Sequence, residues 1–242
     1  MSRITMDAKI RKVQNRVLKL FSKEGTDFAL AGGTALELFY LHHRFSADLD
    51  FFSPAYNLAE IDKLVSALKK QIDKNIKLES ELMAAGKAKV RFYSMPVKGS
   101  ERGLKIDFVE DVLIDEPVIN VLDGMRVYSA ENIYFQKIAA VGGTQSESDA
   151  IGRPVMEGRK EARDVFDVYM LSKKIQPLHR FLHNLPGMMQ RGMVHWYRTF
   201  SRQELKLALL DVALYDTPFN AAEMIVHLEK EIKQFMKEVS DS

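Results

Sequence analysis

Asp48 and Asp50 are the residues of this chain whose spacing best suits metal chemistry. They stand one residue apart in Ser46-Ala-Asp-Leu-Asp-Phe-Phe52, and in a strand residues i and i+2 share a face. The two carboxylates would lie side by side, with Leu49 and Phe51 turned to the core. Like charges so placed repel unless a cation lies with them. Magnesium is the usual answer, because it takes oxygen ligands and bridges to phosphates. Upstream, the apolar run Phe28-Ala-Leu-Ala31 ends at Gly32-Gly33-Thr34. Two glycines permit a sharp turn and the close approach of a ligand. Thr34 is a suitable N-cap, and Ala35 to Leu41 has helical composition. A glycine turn feeding a helix start gathers N–H groups and the positive end of the helix dipole, which suits a nucleotide's phosphates. Either half alone has an ordinary structural explanation. The specificity lies in their order and separation, joined by a single helix.

The elements that must hold these residues follow from periodicity. Ile10, Val13, Val17 and Leu20-Phe21 predict an amphipathic helix from about residue 7 to 22, and Leu58 to Ile72 predicts another. Strands are expected at 76–82, at 87–94 after a turn at 84–86, and at Leu104 to Val109. In the last of these, Leu104, Ile106 and Phe108 share one face, and Lys105, Asp107 and Val109 the other. Lys87, Lys89 and Arg91 share a face that is either simply exposed or a positive wall for triphosphate or RNA. Asp123-Gly124 predicts a hairpin between Val118–Leu122 and Met125–Tyr128. Ser129 then caps a helix running to Ala140. Residues 142–158 are polar and glycine-rich and longer than an ordinary connection, as a lid or binding loop would be. Helices follow from 159 to the end, with breaks near Asn184–Gly187 and Asp216–Pro218.

Gly32-Gly33-Thr34 followed by His43-Arg44-x-Ser46-x-Asp48-Leu49-Asp50-Phe51-Phe52 resembles the first motif of the AbiEii/AbiGii-type nucleotidyltransferases. These are a branch of the polymerase β-like superfamily, with many toxins of bacterial toxin–antitoxin or phage-defence pairs. The resemblance implies an α/β (α+β) core with a mixed sheet over residues 1–128. It also implies a helical C-terminal domain over 129–242 that completes the active-site cleft. Asp48 and Asp50 would hold two Mg²⁺ ions. Asp107, a charge inside an apolar strand and therefore costly unless paired or metal-bound, would be the third carboxylate. Gly32, Gly33 and Thr34, with Arg44 and Ser46 of the same motif, would stand on the nucleotide side. Glu131-Asn-Ile-Tyr-Phe-Gln-Lys137 resembles a later motif in which a lysine contacts the phosphates or the transition state. Arg159-Lys-Glu-Ala-Arg-Asp-Val-Phe-Asp167 resembles the last motif. There Asp164 would orient a cation or the nucleotide, and Arg159 and Arg163 would bind phosphate. The bland reading of that helix is a set of i,i+4 pairs such as Arg163 with Asp167, worth a few tenths of a kcal/mol.

The implied reaction moves a nucleoside monophosphate from an NTP to an acceptor hydroxyl, most plausibly at a tRNA 3′ end. Between Leu171 and Lys206, seven basic side chains face one acidic one. His179, His183 and His195, with Trp196 and Tyr197, are interleaved among them. Such a segment suits a nucleic-acid backbone with rings to stack on bases, or equally buried rings beside solvated charges. A small-molecule or protein acceptor would use the same carboxylates, and a silent binding protein could keep the fold. A cognate antitoxin is the protein partner that the resemblance implies.

Composition sets the outer bounds. The chain has 242 residues, a formal net charge of +2, 46% hydrophobic and 28% charged residues, an ordinary globular balance. The absence of cysteine excludes disulfides and thiolate metal sites and fits a reducing, cytoplasmic setting. The N-terminal residues lack a signal-peptide apolar core, and no apolar run is long enough to span a membrane.

Overall fold

The computed structural model describes residues 7–84, 87–143, 146–148, 154–156, 158–159, 161–215 and 219–241. The chain divides between Asn132 and Ile133 into two compact units. The expected turn residues 85–86 and the expected break at 216–218 lie outside the described residues.

The N-terminal unit is built on a mixed seven-stranded sheet. Its strands are β1 (Ala29–Ala31), β2 (Leu49–Ser53), β3 (Lys77–Leu82), β4 (Val90–Met95), β5 (Leu104–Glu110), β6 (Ile119–Leu122) and β7 (Met125–Tyr128), in the spatial order β3-β4-β5-β2-β1-β7-β6. β2 pairs antiparallel with β1 and parallel with β5. That placement at the centre of the sheet follows from composition. Leu49, Phe51, Ile106 and Phe108 alternate onto one face and are fully buried. They meet helix α1 (Ala8–Glu24), where Phe21 stacks on Phe51 with ring centroids 4.3 Å apart. Phe28 meets Phe108 edge-on at 5.2 Å. Fully burying such a side chain contributes about 1.5–3 kcal/mol, so this aromatic layer fixes which face of β2 and β5 turns inward. The other face receives Asp50 and Asp107 by default, since a one-residue slip would bury both carboxylates.

Local signals place the remaining elements. Asp7 caps α1 by accepting from the N–H groups of Lys9 at 2.9 Å and Ile10 at 3.2 Å, and Asn57 caps α3 (Leu58–Gln71) in the same way. Asp123 and Gly124 both have positive φ, 51° and 76°, as the two-residue turn of the β6–β7 hairpin requires. Ser129 Oγ accepts from Asn132 N–H at 3.2 Å at the start of α4 (Ala130–Gly142).

The C-terminal unit is helical. α5 (Ala162–Lys174), α6 (Leu178–His183), α7 (Gly187–Thr199) and α8 (Arg202–Ala208) precede α9 (Ala221–Ser240). α9 packs against these helices through Met224, Ile225, Leu228, Ile232 and Phe235, all buried. His179 and His183, one turn apart on α6, reach Glu231 at 2.7 Å and Glu238 at 2.8 Å on α9. The C-terminal helix thus packs on the helices of its own unit. Residues 142–158, expected to be a loop, contain a two-stranded antiparallel ribbon, β8 (Ser146–Ser148) with β9 (Pro154–Met156). Pro154 opens β9, a position where a missing N–H costs a strand little. Among the described residues no helix is long and apolar enough to cross a membrane.

Candidate active site

The site grows from the centre of the sheet. Asp50 lies opposite Asp107 in the parallel β2–β5 ladder, and opposite Ala31 in the antiparallel β1–β2 ladder. Asp48 stands one residue ahead of β2, and its charge, like that of Asp50, acts on Asp107. The topology therefore sets Asp50 beside Asp107 with Asp48 near enough for its charge to be felt there, and the residue after Ala31 begins the glycine turn beside them.

Gly32 has φ +67°, and a Cβ there would collide with the Asp50 carboxylate, whose Cγ it would meet at 3.1 Å. A Cβ on Gly33 would run into Arg44 Nη2 at 2.5 Å and Ser46 Oγ at 2.8 Å. The two glycines thus have separate tasks: one brings the turn against Asp50, and the other makes room for Arg44 and Ser46. Both of those side chains are buried. Thr34 departs from the expected capping role. The helix α2 begins at Gly32 (Gly32–Ala35), so Thr34 sits inside its first turn, fully buried. Its hydroxyl donates to the Asp48 carbonyl and, at 3.4 Å, to the Ser46 carbonyl. The helix then widens into a π-helical turn, Leu36–Leu41, closed by His42 N–H to Glu37 C=O at 3.1 Å, with His42 at φ 46°. Such turns recur at functional sites, and nothing in the composition of 35–41 announces this one.

Asp107 carries the electrostatic signature of the site. Burial, followed by the nearby charges of Asp50 and Asp48, pushes its carboxyl up to about 7. Its Oδ1 is buried without a hydrogen-bond partner, an expensive state for a carboxylate oxygen. Between about pH 4 and pH 7 the folded protein holds a proton that the unfolded chain has released, so this group makes stability fall as pH rises across that window. We expect Asp107→Asn to raise the thermal midpoint of the metal-free protein at pH 8 and to change it little near pH 4. Unfolding curves at both pH values check this, and an equal shift at both would remove Asp107 as the cause.

Among the described residues no three side chains of the metal-binding types are gathered into a ready-made cluster. The donors present still suit a hard cation: carboxylate oxygens on one face, one of them buried and unsatisfied. Magnesium needs no complete protein cage, since it keeps waters and is held by one or two carboxylates together with phosphates.

The second group of predicted residues lies in the C-terminal unit. Lys137 of α4 is 8% exposed, and its ammonium contacts Asp164 Oδ1 at 2.5 Å and Asp167 Oδ2 at 2.8 Å. Arg159 Nη2 lies 3.6 Å from Asp164 Oδ2. Burial alone would raise the Asp164 carboxyl, but the charges of Lys137 and then Arg159 outweigh it and hold the group below its usual range. Arg163 is half-exposed and 3.8 Å from Glu161. Asp167, named in the sequence only as a member of the last motif and of the bland i,i+4 pairing, is fully buried beside Lys137. Sequence reasoning did not take it as a candidate site residue. The usable signal was its i,i+3 relation to Asp164, which puts both carboxylates on one stripe of α5.

The positive wall considered for Lys87, Lys89 and Arg91 is largely neutralised. Lys89 pairs with Glu110 at 2.8 Å, and Arg91 pairs with Asp62 at 2.7 Å and with Glu81 across the β3–β4 ladder.

Likeness to known proteins agrees with this architecture. A candidate nucleotidyltransferase from Helicobacter pylori superposes with a TM-score of 0.58 at 22% identity, covering 96% of this chain and 95% of that one. The Helicobacter pylori protein JHP933 gives a TM-score of 0.57 at 21% identity, covering 98% and 97%. These likenesses establish the fold, a polymerase β-like core with a mixed sheet followed by helices. No protein of curated function matches the sequence. The model of the family described as "Nucleotidyl transferase AbiEii toxin, Type IV TA system" matches residues 16–241. With nearly its whole length covered, the chain belongs to the AbiEii nucleotidyltransferase toxin family and is a nucleotidyltransferase.

Proposed function

We propose that this enzyme moves a nucleoside monophosphate from an NTP to the terminal hydroxyl of an RNA, with tRNA the leading acceptor, in a Mg²⁺-dependent reaction. The carrying observation is the Asp50–Asp107 pair on adjacent central strands, with the unsatisfied Asp107 Oδ1 and the Gly32 turn beside it. The acceptor oxygen forms a bond to the α-phosphorus, the α–β bridging bond breaks, and pyrophosphate leaves. Bound Mg²⁺, two ions in the full assembly, would supply charge neutralisation and lower the pKa of the attacking hydroxyl. Asp48, Asp50 and Asp107 would hold it. Below pH 7 Asp107 carries a proton that must leave before it can serve as a ligand or accept the proton of the attacking hydroxyl. Gly32 and Gly33 offer backbone N–H groups of the helix start to phosphate. Thr34 assists through its backbone alone, because its hydroxyl is already donated inward. Arg44 and Ser46 shape this turn from beneath. Within the C-terminal unit, Lys137 and Arg163 would serve as phosphate ligands, with Asp164 and Asp167 orienting the Lys137 ammonium.

RNA is favoured over a small-molecule or protein acceptor by α7. Arg191, His195 and Arg198 fall at i, i+4 and i+7 on that helix; both arginines are exposed, and no described carboxylate pairs with any of the three. Trp196 stacks on Phe200 at 4.5 Å, both rings part-exposed, and the Arg202 guanidinium lies 5.0 Å over Phe200. The unpaired Arg191 and Arg198 with Trp196 on α7, and Phe200 at its end, suit a single strand's phosphates and bases, whereas Arg202 of α8 is already paired with Glu229. Arg191→Ala/Arg198→Ala should weaken RNA binding and reduce the salt slope of log K by roughly 0.7 per lost phosphate contact. Anisotropy titrations at several salt concentrations check this, and an unchanged slope would place the RNA elsewhere.

The deciding experiment supplies each α-phosphate-labelled NTP with Mg²⁺ and total bacterial tRNA, beside an Asp48→Ala/Asp50→Ala control. Label entering tRNA with the wild type alone supports the reading. Label confined to protein or small molecules overturns the RNA acceptor, and no transfer at all favours a silent fold. The proposed setting is the cytoplasm, where NTPs and tRNA meet, with a cognate antitoxin as the partner expected from the family description.

A further inference from the structure

The segment that delivers Asp48 to the sheet, residues 42–48, is held almost entirely by buried side chains. Gln14 Nε2 donates to the Ser46 carbonyl at 3.0 Å and to the Ala47 carbonyl at 2.9 Å. Thr34 donates to the Asp48 carbonyl. Glu37 Oε2 accepts from Ser46 N–H at 2.8 Å, and its Oε1 receives the Arg11 guanidinium. Arg11 also lies 4.9 Å over the ring of Phe45. Glu37 is 1% exposed. A carboxylate so buried is costly without a counter-charge and hydrogen bonds, and here it has both, each directed at the same loop. The π-helical turn begins one residue before Glu37, and its closing bond ends on the Glu37 carbonyl. The unusual backbone and the buried acid are therefore parts of one brace. Arg11 and Gln14 lie on α1 ahead of residue 16, where the family match starts.

We infer that Glu37, held by Arg11, is a positioning residue for Asp48, and that the start of α1 belongs to the working parts of the metal site. This rests on the reading that Asp48 and Asp50 bind a divalent ion. Partners that orient a metal ligand usually cost about 10–100-fold in metal affinity when removed. Glu37 touches no reacting atom. Its effect would reach the ion through the Ser46 amide and the Asp48 backbone.

The test titrates Mn²⁺ into the full-length protein and follows free Mn²⁺ by electron paramagnetic resonance, for the wild type, Glu37→Gln, Arg11→Met, Arg11→Lys and Asp48→Asn. Steady-state transfer at varied Mn²⁺ and varied NTP accompanies it, with circular dichroism to confirm folding. We expect Asp48→Asn to abolish tight Mn²⁺ binding. Glu37→Gln and Arg11→Met should weaken it about tenfold, raising the half-saturating Mn²⁺ while leaving KM for NTP near the wild-type value. Arg11→Lys, which keeps the counter-charge, should recover most of the affinity. Thermal destabilisation with unchanged Mn²⁺ affinity would reduce the brace to a structural role and overturn the inference. Wild-type Mn²⁺ binding that ignores Asp48→Asn would overturn the metal reading itself, and the inference with it. Should Arg11→Met fail to fold, Glu37→Gln decides the matter, since it keeps the size and one acceptor of the native side chain.

Discussion

Asp50→Asn should lower nucleotidyl transfer by roughly a thousandfold while leaving the fold intact. The substitution keeps the shape of the side chain and removes the charge at the centre of the sheet, opposite Asp107. Catalysis by positioning and charge stabilisation loses about 10²–10³ for each well-placed group removed. A ligand whose charge holds the cation should fall at the upper end, because the substrate's phosphates then lose their neutralisation as well. Two further readings separate this from misfolding. Asp50→Asn removes one of the two negative neighbours that hold the Asp107 carboxyl high, so Asp107 should ionise at lower pH. Repulsion on that face also falls, so thermal stability of the metal-free protein should hold or rise. Single-turnover transfer of labelled nucleotide, with a thermal melt of the same preparation, checks both. Retention of more than a tenth of wild-type activity would remove Asp50 from the machinery.

Lys137→Met should be costly in a different way. The ammonium is buried between Asp164 and Asp167, and removing it takes away the counter-charge the two carboxylates share, while Arg159 remains 3.6 Å from one of them. Breaking a buried pair from one side costs about 3–5 kcal/mol, which for a chain of this size lowers the melting temperature by on the order of 10 °C. Activity should be lost as well if the lysine acts on phosphate. The two losses can be parted. In the triple variant Lys137→Met/Asp164→Asn/Asp167→Asn neither buried carboxylate is left, and Arg159 is exposed to water, so most of the stability should return, while transfer should not. Chemical denaturation and labelled-NTP assays on the single and triple variants check this. Recovery of activity together with stability would show that Lys137 holds the helices together and does no more.

Much of the sheet could be read from the sequence because its signals are local. Alternation in Leu49–Ser53 and Leu104–Glu110 determined which side chains face the core, and Asp123-Gly124 carried its hairpin in two residues. The capping residues Asp7, Asn57 and Ser129 stand where helix starts need them. The carboxylate candidates were legible for the same reason: a charge on the wrong side of a strand would have to be buried. Relations between distant segments were decided only by the tertiary structure. Thr34 looks like an N-cap until the segment leading into β2 arrives beside it and takes its hydroxyl. Asp167 looks like an exposed helical residue until α4 presents Lys137 to it. Glu37 has the composition of an exposed helical position, and its burial is made tolerable by partners far along the chain, among them Arg11, 26 residues earlier, which supplies a counter-charge. Periodicity reports which residues can avoid water. It does not report which charges will meet inside, because that depends on pairings across the fold, each stable only when both partners arrive.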